Sequence, residues 1–187
     1  MHIQIVLFDG FDPLDVVTPF EVLHAGAVAS GGAFDVELVS AEGPREVVGG
    51  TGGLALRATA ALDPARADIV VVPGASGPVG DPGGTPDEGA AEATIPVLLG
   101  RIEGRPATSH HLGLDLLEAT GARPVRARVV DDGDLVTGAG VTSGLDLGLH
   151  LLEREVGPQI AHAVEELFAY ERRGTVWRAQ GPAPAVF

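Results

Sequence analysis

Asp9, Asp12 and Asp15 crowd the end of an apolar run, Ile3 to Phe8, and Glu21 follows within reach. Carboxylates gathered beside a strand end suit three uses. One can be held protonated and serve as a general acid–base. Together they can hold a hard divalent ion. Or they can sit solvated near a helix N-terminus, where the dipole favours negative charge. Asp15 is the sharpest candidate, because it lies between Leu14 and Val16 in an apolar step and is expected to be partly buried.

A second candidate is Pro73-Gly74-Ala75-Ser76-Gly77, behind the apolar run Val70 to Val72. Glycines there let the backbone approach a ligand and present N–H groups to an oxyanion or carboxylate; the alternative is a tight strand exit. Gly138 to Gly144 leads into a helix N-terminus, which either faces an anion or makes a close helix–sheet contact. His110 and His111 follow Thr108-Ser109. Adjacent side chains point different ways, so the two do not suit one metal; one faces a pocket, or both cap a helix or lie on the surface. Ser76, Ser109 and Ser143 are the remaining hydroxyl nucleophiles, and none sits in a G-x-S-x-G elbow. His2, His24, His150 and His162 stand singly and read as structural or surface residues. No H-E-x-x-H, P-loop or strand-borne G-x-G-x-x-G occurs, and Gly49 to Gly53 does not open a helix.

The elements that must carry these residues follow a β-α-β pattern. Ile3 to Phe8 is a first strand, and Thr18-Pro19 places proline at the first position of a helix closed by Gly31-Gly32. Phe34 to Ser40 is the second strand, joined through a helical crossover as parallel strands require. Val47-Val48 and Leu54 to Arg57 flank a glycine-rich turn and suggest a hairpin. Asp63 to Arg66 is a turn, and Ile69 to Val72 a central strand. Pro73 to Gly89 reads as loop, with Asp81 to Pro86 its most mobile part; Glu88 to Thr94 suits a short helix and Ile95 to Leu99 either a strand or a helix. Leu112 to Ala119 is helical up to Gly121. Asp132-Gly133 between two alternating runs, Arg126 to Gly138, is a hairpin signal. Thr142-Ser143 caps a leucine-rich helix, and Gly157-Pro158 opens another running from Gln159 to about Tyr170, with Ile160, Val164, Leu167 and Phe168 on its inner face. Residues 181–187 read as a flexible tail on a single domain, 1–187.

Composition narrows the partners. The chain of 187 residues carries 26 acidic against 12 basic side chains, a formal charge of -14, which argues against a nucleic-acid backbone as partner. Aromatic residues are scarce, so the core must be built from Val, Leu, Ile and Ala, as in buried parallel strands. Cysteine is absent, which removes disulfides, thiolate metal sites and thiolate nucleophiles together. The start resembles a strand rather than a signal peptide, and no run of about 18 apolar residues suggests a membrane span. A cytoplasmic location is expected, with no cofactor and no metal.

Taken together, IVLFDGFDPLDVVTPFEVL, ADIVVVPGASG, the long stretch from Gly104 to Glu153, and Glu165 to Tyr170 resemble the DJ-1/PfpI superfamily, in particular its isonitrile-hydratase-like branch. The resemblance implies a flavodoxin-like α/β three-layer sandwich with a mostly parallel central sheet, a homodimer, and an active site at the ends of the central strands. It implies a cysteine on a nucleophile elbow, assisted by an acid from the end of strand one. Asp15 matches that acid as the catalytic residue. Pro73 to Gly77 matches the glycine turn, with Ala75 where a second glycine is usual. Gly74, Ala75, Ser76, Thr108 and His110 are the implied contacts to a small-molecule substrate.

The cysteine has no counterpart. Family members place a strand, the elbow and a helix ahead of the segment matching Gly104 to His110, whereas here only Gly100 to Glu103 separate it from Leu99. Either the elbow is lost, and the parent chemistry with it, or a segment between Gly100 and Ile102 is missing from the sequence; continuous numbering favours loss. Such a loss would expose apolar faces and force neighbouring strands to re-pair. Two functions follow: an isonitrile-hydratase-like hydro-lyase converting an isocyanide to an N-formamide, or a catalytically silent relative that binds a small molecule or serves as a regulatory or structural dimer.

Overall fold

The computed structural model describes residues 1–76 and 101–181. β1 (His2–Leu7) is buried almost throughout, with Ile3, Ile5, Val6 and Leu7 in the core. Its one polar interior residue, Gln4, is satisfied by the Asp63 amide and by His2. α1 (Pro13–Ala29) then crosses to β2 (Asp35–Ser40), which pairs in parallel with β1. β3 (Arg45–Val48) and β4 (Ala55–Ala58) form the expected hairpin, with Gly52 and Gly53 at positive φ near its tip. β5 (Ala60–Ala61) and β6 (Ile69–Val71) complete a parallel sheet of order β5-β2-β1-β6. The protein is a layered α/β fold whose largely parallel central sheet is flanked by helices, the flavodoxin-like arrangement that the family resemblance implies.

After the undescribed stretch, β7 (Pro106–Ala107) pairs with β8 (Arg123–Pro124) across α2 (Leu114–Ala119). β9 (Val129–Asp131) and β10 (Val136–Gly138) make the Asp132-Gly133 hairpin. α3 (Ser143–Val156) and α4 (Pro158–Phe168) follow, and β11 (Trp177–Arg178) adds in parallel to β9. Among the described residues β6 is paired only with β1, and Val70 is 40% exposed. β7 and β8 stand as a separate pair.

α1 packs closely on α3 because glycines remove side chains from the contact: a Cβ on Gly148 would lie 2.9 Å from Val22, and one on Gly144 2.1 Å from the Thr18 hydroxyl. Several expectations are corrected. α1 begins at Pro13, not near Pro19; Asp12 caps it by accepting the Leu14 N–H, and Pro19 lies inside the helix. Thr142 makes no capping bond to α3 but accepts from Arg128. α4 buries Ala161 and Val164, while Leu167 stands 71% exposed and Phe168 is exposed beside it. The short strands β5, β7, β8 and β11 carry no strand signal in the sequence. The elements expected at Glu88 to Thr94 and Ile95 to Leu99, the loop Asp81 to Pro86, Gly77 and residues 182–187 lie outside the described residues. Among the described residues no helix is long and apolar enough to cross a membrane.

Candidate functional site

The chain leaves β1 through a turn in which Gly10 takes a φ of 90°, and Asp12 with Pro13 then starts α1. This places Asp15 in the first helical turn. The three clustered acids part company there. Asp9 accepts from the Val48 amide and pairs with Arg45 at 3.0 Å, and the Arg45 bond holds its carboxyl below the ordinary range. Asp12 is committed to the cap. Glu21 lies on the exposed side of α1. Only Asp15 turns toward the exit of β6, where its Oδ2 accepts the Gly74 N–H at 3.1 Å.

Burial raises the Asp15 carboxyl above its ordinary value; the Gly74 N–H opposes the rise, the Asp12 charge adds to it, and His110 opposes it. Desolvation therefore outweighs the favourable position in a helix first turn. The sign for stability follows. A carboxyl raised by folding contributes stability that is present at acid pH and lost as pH climbs through its folded value. Asp15→Asn should accordingly gain a few degrees of Tm over the parent at neutral pH, with the gap closing on acidification. A gap that is flat or widens toward acid pH would show that burial does not dominate this carboxyl.

The β6 exit is held by backbone bonds on both sides. Asp12 N–H donates to Gly74 O and Ser76 N–H to Gly10 O, framing a bridge between Phe11 and Ala75. A Cβ on Gly74 would stand 2.8 Å from Asp15 Oδ2, so a side chain there would push that carboxyl aside. The Ser76 hydroxyl is paired with Thr51 at 2.9 Å. Across the site, Arg105 fastens the segment entering β7 to the β9–β10 hairpin, through Asp132 at 2.6 Å and Asp134 at 2.6 Å. Thr108 is buried; its N–H donates to Thr137 and its hydroxyl to Ala127 O, so its polar groups are used within the fold. His110 follows, its Nδ1 accepting the Leu112 N–H and its ring lying against Gly140. His111 is tilted on it, with centroids 4.1 Å apart. Ser143 donates to Gly140 O.

Asp15 and Gly74 are bonded to each other, Ala75 and Ser76 continue the same strand exit, and His110 is near enough to act on the Asp15 charge, whereas Thr108 is bonded to Thr137 and Ala127. Thr51, inside the Gly49 to Gly53 cluster, reaches the β6 exit through Ser76, and Gly140, inside the Gly138 to Gly144 stretch, lies against the His110 ring. Among the described residues no three His, Asp or Glu side chains are grouped to hold a metal ion. The lone histidines are structural or surface residues: His150 bonds Asp131 at 2.6 Å in the core, His2 pairs with Asp35, His24 stacks on Phe20, and His162 is exposed beside Glu165 and Glu166.

A parallel sheet whose strand ends meet an acid on the first helix and a glycine turn defines a class of α/β proteins, and comparison places the chain within it. No family model matches it. An isonitrile hydratase from Pseudomonas putida is 33% identical over 186 aligned positions, which span 91% of this chain and 78% of that protein. A ThiJ/PfpI family protein from Pseudomonas syringae is similar in structure, with a TM-score of 0.71, 26% identity, and coverage of 92% of this chain and 76% of the other. An AraC family transcriptional regulator from Pseudomonas putida shares the fold at a TM-score of 0.71 and 20% identity, over 89% of this chain and 98% of the other. The chain belongs to the DJ-1/ThiJ/PfpI superfamily and has a relative among isonitrile hydratases.

Proposed function

We propose that the protein is a catalytically silent member of this family, a homodimer that binds a small molecule between Asp15, the Gly74–Ser76 turn and His110 and acts in a regulatory or structural role. One observation carries the reading: the acid and the glycine turn are present, while the chain contains no cysteine. The hydroxyls do not take its place. Ser76 is engaged by Thr51, Ser143 by Gly140, and the Ser109 hydroxyl lies beside Gly113; among the described residues none is paired with a histidine base, as an activated serine must be. The AraC family regulator of the same fold is precedent for a regulatory use.

Isocyanide hydration is the competing reading, favoured by the 33% identical relative. The two separate cleanly in an assay for N-formamide production from a simple alkyl isocyanide. The silent reading expects no rate above buffer. Turnover that disappears in Asp15→Asn would overturn it and assign acid–base chemistry to that carboxyl. Light scattering on the same sample tests the dimer.

A further inference from the structure

We propose that residues 172–179 form an ion-fastened strap that lets go of the α3–α4 face and of β9 as a unit at acid pH, while the rest of the fold stays intact. Its release is independent of what Asp15 binds. From 169 to 181 no residue is buried: Tyr170, Arg172 and Val176 are half-buried and the others exposed. A segment with so little buried apolar surface opens locally at far less cost than a core element. Tyr170 is the fixed post ahead of it, packed against the core with its hydroxyl donating to Asp146.

Polar bonds hold the strap. Arg172 Nε donates to Glu165 at 2.8 Å and Nη1 to Glu153, so one guanidinium spans α3 and α4. The Arg173 N–H donates to Asp146 Oδ1 at 2.7 Å. Past Gly174, at a φ of 77°, Trp177 and Arg178 pair with Val130 and Asp131, and the Ala179 N–H donates to Asp131 O at 3.3 Å. β11 is thus a two-residue edge strand with both residues exposed. Every side chain that receives the strap is a carboxylate: Asp146, Glu153 and Glu165.

Those carboxylates set the trigger. Arg172 holds the Glu153 carboxyl below its ordinary range, against the effect of burial, and His150 and Arg178 add to the lowering. A carboxyl lowered by folding contributes stability that is present above its unfolded value and lost as pH falls through its folded one. Glu165 meets the same guanidinium, with His162 at 3.8 Å from its other oxygen. Acid therefore neutralises both acceptors of Arg172. Asp146 is also faced by Arg128, and Asp131 by His150 and Arg154, so these two keep partners when the strap leaves. Release bares the edge of β9, the strand whose hairpin partner holds Thr108 through Thr137.

The test follows the full chain by the emission of Trp177, its single tryptophan, and by amide hydrogen exchange. On acidification the Trp177 emission should shift to the red at a higher pH than that at which β1 and α1 lose exchange protection. At neutral pH, Glu153→Gln combined with Glu165→Gln should speed exchange of the Arg173 and Ala179 amides about tenfold, what two partly exposed ion pairs are worth together. The β1 amides should be unchanged. The double variant should also flatten the acid dependence of the Trp177 signal, which a packing role for the two glutamates would not do. Glu166→Gln is the matched control, because among the described residues the Glu166 carboxylate meets only His162; it should change neither signal. Strap and β1 signals lost in step would overturn the inference. So would strap exchange in the double variant equal to that in Glu166→Gln.

Discussion

Asp146→Ala should cost about 3–5 kcal/mol of stability, the range found when one partner of a buried ion pair is removed. The Asp146 side chain is 4% exposed on the first turn of α3. Its Oδ2 accepts from Arg128 Nε at 2.9 Å, from Arg128 Nη2 at 2.6 Å and from the Tyr170 hydroxyl at 3.0 Å. Its Oδ1 accepts the Arg173 N–H at 2.7 Å. One carboxylate therefore joins the segment entering β9, the helix α3 and the chain leaving α4. Alanine removes all four bonds and strands a guanidinium that is itself only 31% exposed. Asp146→Asn keeps one acceptor oxygen and most of the shape, so it should lose less than alanine does. Urea denaturation of the three proteins measures this, with the slope checked for constancy. A loss under about 1 kcal/mol for alanine would mean that water reaches Arg128 and that the cluster is a surface ion pair of ordinary weakness. Adding Arg128→Met to the alanine variant should recover part of the loss, because the uncompensated charge goes with it.

That cluster is also where reading the residues stops short. Strand one, the β2 strand and both hairpins are legible because their signals are local: an apolar run, or turn residues between alternating segments. Asp15 is legible for the same reason, as an acid set in an apolar step. Asp146, by contrast, looks like an ordinary solvent-side acid among leucines, and its burial depends on Arg128, Tyr170 and Arg173 arriving from elsewhere in the chain. The start of α1 shows two local signals in competition. Asp12-Pro13 and Thr18-Pro19 both look like helix openings, and the first wins because the Asp12 carboxylate reaches the Leu14 N–H. Pro19 is then carried inside the helix and buried in its packed face. β11 has no local signature at all, since its two residues are a strand only by virtue of the β9 edge beside them. Thr108 has the right type and place for ligand contact, but the short β7 leaves its N–H and hydroxyl to bind Thr137 and Ala127.

Gly50→Ala should be the most damaging substitution among the described glycines, at about 3 kcal/mol, the upper part of the range for overpacking. The residue sits in a glycine cluster of little promise as a phosphate motif, and the structure gives the cluster another purpose. A Cβ on Gly50 would lie 1.5 Å from Ser76 O, 2.5 Å from Ser76 C and 3.0 Å from Gly10 O. All three are backbone atoms, so no side-chain rotation relieves the clash. The loops they belong to are tied here by Gly50 N–H to Phe11 O, Gly10 N–H to Val48 O and Ser76 N–H to Gly10 O. Relief requires the β6 exit to move, and the Gly74 N–H bond to Asp15 moves with it. Gly52→Ala is the matched control. Gly52 has a φ of 60° and open space around its Cα, so alanine there meets only the left-handed backbone cost, about 1–2 kcal/mol. Thermal or urea unfolding should therefore rank Gly50→Ala clearly below Gly52→Ala. Gly50→Ala alone should also shift the Gly74 and Ala75 amide resonances. Equal losses with unmoved amides would mean that the three loops can separate freely, and that the site around Asp15 is not built on their contact.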